Sequence, residues 1–123
     1  MITDEDLKQQ FYKGDTIILP FEFEQGEISE VADFSDFTKI EIEVSSFNQF
    51  IATFTTDEES AIDEDHLIVI DDPSYQNFDL LVPSDDTLQM QGDVILKVRY
   101  YFLYNDKEMV QTKRLATNIE IIE

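Results

Sequence analysis

Apolar and polar residues alternate along much of this chain with the two-residue period of a β-strand. The segment Lys39-Ile40-Glu41-Ile42-Glu43-Val44 shows the pattern in six positions, with aliphatic side chains on one face and charge on most of the other. The first predicted strand is Thr16–Phe23, with Ile17, Leu19, Phe21 and Phe23 on one side. Pro20 sits inside it and has no N–H for a ladder, so this strand is expected at an edge or a bulge. Lys39–Ser46 is the second strand. Phe47-Asn48-Gln49 turns the chain, and Phe50–Thr55 returns with Phe50, Ala52 and Phe54 inward, which makes a hairpin. His66–Ile70 reads as a short, nearly continuous apolar strand, and Asn77–Val82 as an alternating one. Asp93–Tyr104 carries the strongest pattern, with Val94, Leu96, Val98, Tyr100, Phe102 and Tyr104 on one face and Lys97 and Arg99 on the other. After the turn Asn105-Asp106-Lys107, the segments Glu108–Lys113 and Leu115–Ile122 close the domain.

Turn chemistry separates these runs. Gln25-Gly26-Glu27 and Asp71-Asp72-Pro73-Ser74 break the chain, and residues 28–37 are irregular, with Val31, Phe34 and Phe37 as anchors. Pro83 to Gly92 reads as one helical turn capped by Ser84 and closed by a left-handed Gly92. Residues 3–10 are expected as one or two helical turns or a flexible arm, with Thr3 as N-cap. Strands of ordinary length with turn signals about every 8–12 residues, and no long amphipathic helix, predict a single all-β, antiparallel sandwich or barrel of about seven or eight strands. The expected division is an N-terminal arm over residues 1–13 and the sandwich over residues 14–123.

Composition agrees with a folded domain. At 123 residues the chain suits one domain, and its ten Phe and 42% hydrophobic content supply a core. There is no Cys, which excludes disulfides, thiol catalysis and zinc–thiolate sites. The start, Met1-Ile2-Thr3-Asp4-Glu5-Asp6, has no apolar signal core, and no run approaches a membrane span. A cytoplasmic site of synthesis is therefore expected. Asp and Glu number 28 against 8 Lys and Arg, a formal charge of −20. That charge opposes nucleic acid and anionic membranes as partners and favours solubility and basic protein partners.

The candidate chemistry is sparse. His66 is the one histidine, and it would need Ser60 or Ser74 brought beside it to form a nucleophile–base pair; a strand-end histidine with a local hydrogen bond is the expectation. The acidic stretch 57–65 suggests calcium, with Asp63, Asp65, Asp71 and Asp72 as candidates, but it has no Gly and no EF-hand spacing. Paired carboxylates occur, but the aromatic platform of a glycosidase lacks its usual Trp. No phosphate-binding Gly-rich loop is present. No catalytic residue, cofactor or resident metal is therefore expected. Phe11, Tyr12, Lys97, Arg99 and Tyr101 are the interface candidates, since aromatic and Arg side chains concentrate at interface centres. Sheet edges are the other docking candidates, with Leu115–Ile122 or the arm preferred over the Pro20 strand.

Several short segments resemble one family. Phe11-Tyr12-Lys13-Gly14-Asp15-Thr16 leads into the first strand, Asp36-Phe37-Thr38 precedes the second, and Thr87, Leu88 and Gly92 precede the Tyr-rich strand Val94–Tyr104 and the turn Asn105-Asp106-Lys107. This series resembles the immunoglobulin-like β-sandwich found at the N-terminus of phage baseplate upper proteins and related tail-fibre and prophage proteins. Lys39 stands where that family usually has Gly near the Thr. The resemblance implies a non-enzymatic structural component of a phage or prophage particle: an accessory capsid, connector, tail or baseplate protein. Other virion proteins would be its partners, homo-oligomers a further option, and the virion its location. Two alternatives come from the residues alone. One is an acidic inhibitor or DNA mimic of a basic host protein, and the other a carbohydrate- or calcium-binding module.

Overall fold

Two tight hairpin turns organise the larger sheet. Phe47 and Asn48 have φ of 52° and 59°, and Asn105 and Asp106 have φ of 51° and 63°. Paired positive φ values give the two-residue turn whose twist matches that of the flanking strands. The first turn joins β3 (Phe37–Ser46) to β4 (Gln49–Thr55), and the second joins β6 (Gly92–Tyr104) to β7 (Lys107–Ile122). The remaining strands are β1 (Gln9–Tyr12), β2 (Ile17–Glu22) and β5 (Asn77–Val82), with one helical turn, α1 (Ser84–Thr87), before β6. The computed structural model describes residues 9–22, 36–70 and 77–123.

The strands form an all-β sandwich. One sheet has the order β1-β7-β6-β3-β4, and β2 pairs with β5 in the other. The five-stranded sheet and the β2-β5 pair form the two layers of the sandwich. One feature departs from a wholly antiparallel sandwich: β1 runs parallel to β7, with Gln9 opposite Ile119 and Tyr12 opposite Ile122. Alternation reads the same in either direction, so it says which side chains are inward but not which way a neighbour runs. The backbone bond from Lys13 N–H to the Ile122 carbonyl, at 3.0 Å, extends this pair.

The core lies between the sheets. Ile40, Ile42, Val44, Phe54, Leu96, Val98 and Tyr100 face Ile17, Leu19, Phe21, Leu80 and Val82, all of them buried. Each large apolar side chain so buried contributes about 1.5–3 kcal/mol relative to exposure. Phe21 and Phe78 are cross-strand partners whose rings stack at 5.1 Å, and Phe37 stacks on Tyr100 at 4.9 Å.

Several expectations are corrected. The chain forms no strand over His66–Ile70. Asp63 instead caps a 3₁₀ turn at Glu64–His66, and only a bridge between Leu67 and Thr55 follows. Phe50 points outward, because the β3–β4 register shifts between Val44 and Ser45. Tyr104 is exposed as well, since the end of β6 runs past the core. Glu108–Lys113 and Leu115–Ile122 belong to one strand of 16 residues. Pro83, not Ser84, occupies the N-cap of α1. Gln9–Tyr12, assigned to the arm, belongs to the larger sheet. The expected arm over residues 1–8, the anchors Val31 and Phe34, and the turns at 25–27 and 71–74 lie outside the described residues.

Candidate docking surface

Three turns meet at one end of the sandwich and are tied together by two hydroxyls. The Gly14 N–H donates to Thr87 Oγ1 at 3.0 Å, and the Thr87 hydroxyl donates to the Asp15 carbonyl at 2.7 Å. This joins the β1–β2 turn to α1. Ser46 Oγ donates to the Gln91 carbonyl at 2.5 Å and accepts the Gln91 N–H at 2.7 Å, joining the β3–β4 turn to the start of β6. Asp15 closes its own turn by accepting the Tyr12 N–H at 2.9 Å. Gly14 has φ of +89°, and a Cβ there would lie 3.2 Å from Leu88 Cδ2, so the turn needs glycine both for conformation and for space.

This end presents four exposed apolar side chains across its width: Tyr12 on the edge strand β1, Leu88 beside Gly14, Phe47 beside Gly92, and Phe50 on the opposite edge strand β4. Phe47 is the most informative. It is 74% exposed and occupies a left-handed position that favours Gly, Asn or Asp over a bulky side chain. Its placement thus costs backbone strain and brings little burial in return. Tyr12, an interface candidate, is exposed at this end, while Phe11 is half-buried and packs against the core.

The other candidates lie on the outer face of the larger sheet and are largely satisfied within it. Arg99 Nη1 bonds Glu43 Oε1 at 2.6 Å, and the Tyr101 hydroxyl donates to Glu41 Oε1 at 2.5 Å. Lys39 Nζ lies 3.8 Å from the same Glu41 oxygen and 4.4 Å from the centre of the Tyr101 ring. The hydrogen bond to Glu43 raises the Arg99 pKa, and the bond to Glu41 raises that of Tyr101, since its loss of a proton would set two anions together. Lys97 is exposed and stands directly opposite Arg114 of β7.

His66 is held between two carboxylates. Nδ1 lies 2.6 Å from Asp63 Oδ1, and Nε2 lies 2.7 Å from Asp86 Oδ2. Partial burial lowers the imidazole pKa, but the hydrogen bonds and charges of Asp63 and Asp86 outweigh it, so the net shift is upward. The bond to His66 holds the Asp63 pKa down. Asp86 is buried and comes from α1, so the contact links the acidic loop to the opposite side of the chain. The arrangement is a structural clamp. The hydroxyl of Ser60 donates to Asp57 at 2.6 Å, and Ser74 lies outside the described residues. Among the described residues no three His, Asp or Glu side chains gather as metal ligands. Asp63 is engaged with His66, Asp65 is exposed beside it, and Asp71 and Asp72 lie outside the described residues.

The fold and this surface define an all-β sandwich with exposed apolar side chains at one end. No protein-family model, no curated protein and no solved structure matches the chain. The alternation puts Phe50 inward, and Phe47 and Leu88 stand in the sequence only as turn-segment residues, so none of the three is marked there as a docking residue. The available signal was a Phe in a two-residue turn, where Gly, Asn or Asp is favoured.

Proposed function

We propose that this protein is a non-enzymatic structural component of a bacteriophage or prophage particle that docks on a neighbouring virion protein through Tyr12, Phe47, Phe50 and Leu88. The observation that carries the docking is Phe47, an aromatic residue held at positive φ and turned to solvent. Exposed apolar clusters on a stable frame mark protein interaction sites. The particle assignment is supported by the resemblance of the turn segments. Two of these, Lys13-Gly14-Asp15-Thr16 and Thr87-Leu88, meet through the Thr87 hydroxyl at the base of the patch. The partner surface is an apolar socket with a basic rim, because a chain of charge −20 repels an acidic one.

The DNA-mimic alternative asks for a continuous acidic stripe. The outer face instead interleaves Lys39, Lys97 and Arg99 with Glu41 and Glu43, which counts against it on that face.

Phe47→Asn combined with Leu88→Gln tests the proposal. Asn suits the left-handed position, so the variant keeps the melting temperature of the parent or exceeds it. Its abundance in purified particles, measured by quantitative mass spectrometry, falls at least tenfold. Full incorporation of the stable variant would refute docking through this patch. Absence of the unaltered protein from particles would refute the particle assignment.

A further inference from the structure

The long edge of β7 raises a separate question. β1 covers that edge only at Ile119–Ile122, and no other described strand follows it further up. Lys107–Arg114 is exposed throughout, including Met109 and Val110. The expected docking edge, Leu115–Ile122, is therefore half covered, and the accessible stretch lies upstream of it.

The charge distribution singles out the same ribbon. Along Lys107–Arg114 the strand carries Lys107, Lys113 and Arg114 against Glu108 only, while Lys97 and Arg99 of β6 face Glu43 of β3. In a protein of charge −20 this is a locally cationic strip. Two copies meet there with less repulsion than an average patch of the surface would impose.

From this we infer that two copies of the chain pair antiparallel along β7, about a twofold axis at Gln111, to form one continuous sheet across the dimer. An antiparallel twofold contact is closed and self-complementary. Directly opposite residues share a face, so only registers centred on a residue keep the alternation of both strands. Among these, the register centred on Gln111 sets Glu108 of each copy opposite Arg114 of the other. It also sets Val110 opposite Thr112. Centring on Val110 would oppose Lys107 to Lys113, and centring on Lys113 would oppose it to itself. Centring on Thr112 would leave Arg114 facing Val110. The Gln111 register is thus the one among these that forms charge pairs without directly opposed like charges. It also gives an anionic partner to Arg114, whose direct neighbour across β6 is the cation Lys97.

This contact goes beyond the end-patch reading and does not depend on it. Sedimentation equilibrium is expected to show concentration-dependent association from 14.4 kDa to twice that mass. Glu108→Arg and Arg114→Glu each set like charges opposite one another twice per dimer and weaken association by about tenfold or more. The double exchange restores it to within about threefold of the parent. The chain has no Cys, so introduced thiols report the register directly. Gln111→Cys cross-links on oxidation, while Met109→Cys, displaced from its own copy, does not. A parent that stays at 14.4 kDa to millimolar concentration, a double exchange that fails to restore pairing, or equal cross-linking at 109 and 111 would each overturn the inference. Phe47→Asn with Leu88→Gln leaves the dimer intact, so loss of docking and loss of dimerisation are separately visible.

Discussion

Replacing Thr87 with Val removes one hydroxyl and almost no volume, and the structure gives the consequence. Thr87 is 0% exposed, and its oxygen is the acceptor for Gly14 N–H. Its proton goes to the Asp15 carbonyl at 2.7 Å, with the Ser84 carbonyl at 3.1 Å as the longer alternative. Valine leaves the Gly14 donor facing a methyl group. A buried donor left without a partner costs about 1–3 kcal/mol, and the under-satisfied Asp15 carbonyl adds less. Since the turn itself is only part-buried, some water reaches it, and we expect a total loss of about 1.5–3 kcal/mol. With a urea slope of about 2 kcal/mol per molar, the unfolding midpoint falls by about 1 M. Thr87→Ser is the control: it keeps the hydroxyl and loses one methyl, at a cost of about 1 kcal/mol. Urea unfolding of the three proteins, with amide exchange at Gly14, reads both effects. A Thr87→Val protein less destabilised than Thr87→Ser, or one that retains Gly14 protection, would refute the reasoning.

Two further predictions concern the clamp and the glycines. The folded-state pKa of His66 is raised, so its contribution is fully present below the ordinary imidazole value and is lost as pH rises through the folded value. The pKa of Asp63 is lowered, so its contribution is present above 3.8 and is lost as pH falls through its folded value. The stability gap between the parent and His66→Gln should therefore be widest between the ordinary carboxylate and imidazole values, at about pH 5–6, and should narrow as pH rises past the ordinary imidazole value and through the raised one, by urea unfolding across pH; a gap that widens steadily with pH would contradict the clamp. Gly14→Ala should cost about 1–2 kcal/mol, some 3–8 °C in melting temperature, and more than Gly92→Ala. Both glycines have positive φ, but a Cβ at Gly92 finds Phe47 at an ordinary 3.9 Å while one at Gly14 meets Leu88 at 3.2 Å. Equal melting temperatures for the two variants would show that Leu88 yields freely.

The sequence by itself determined most of the strands, the inward faces of β3 and of β6 as far as Phe102, and the places where the two hairpins turn. Ile40, Ile42 and Val44, and Val94 through Phe102 on even numbers, are buried as their alternation requires. The reason is local: one inward face per strand imposes a period of two, and Asn105-Asp106 suits the positive φ of a tight turn. Only the tertiary structure decided what lies beside what. The same alternation permits β1 to run in either direction along β7, and it hides the register shift that turns Phe50 to solvent. The His66–Asp86 contact spans 20 residues, and the Gly14–Thr87 contact spans 73. No local pattern encodes such distances. The patch at the end of the sandwich arises because three turns far apart in the chain converge, and convergence is a property of packing between sheets, not of any one strand's sequence.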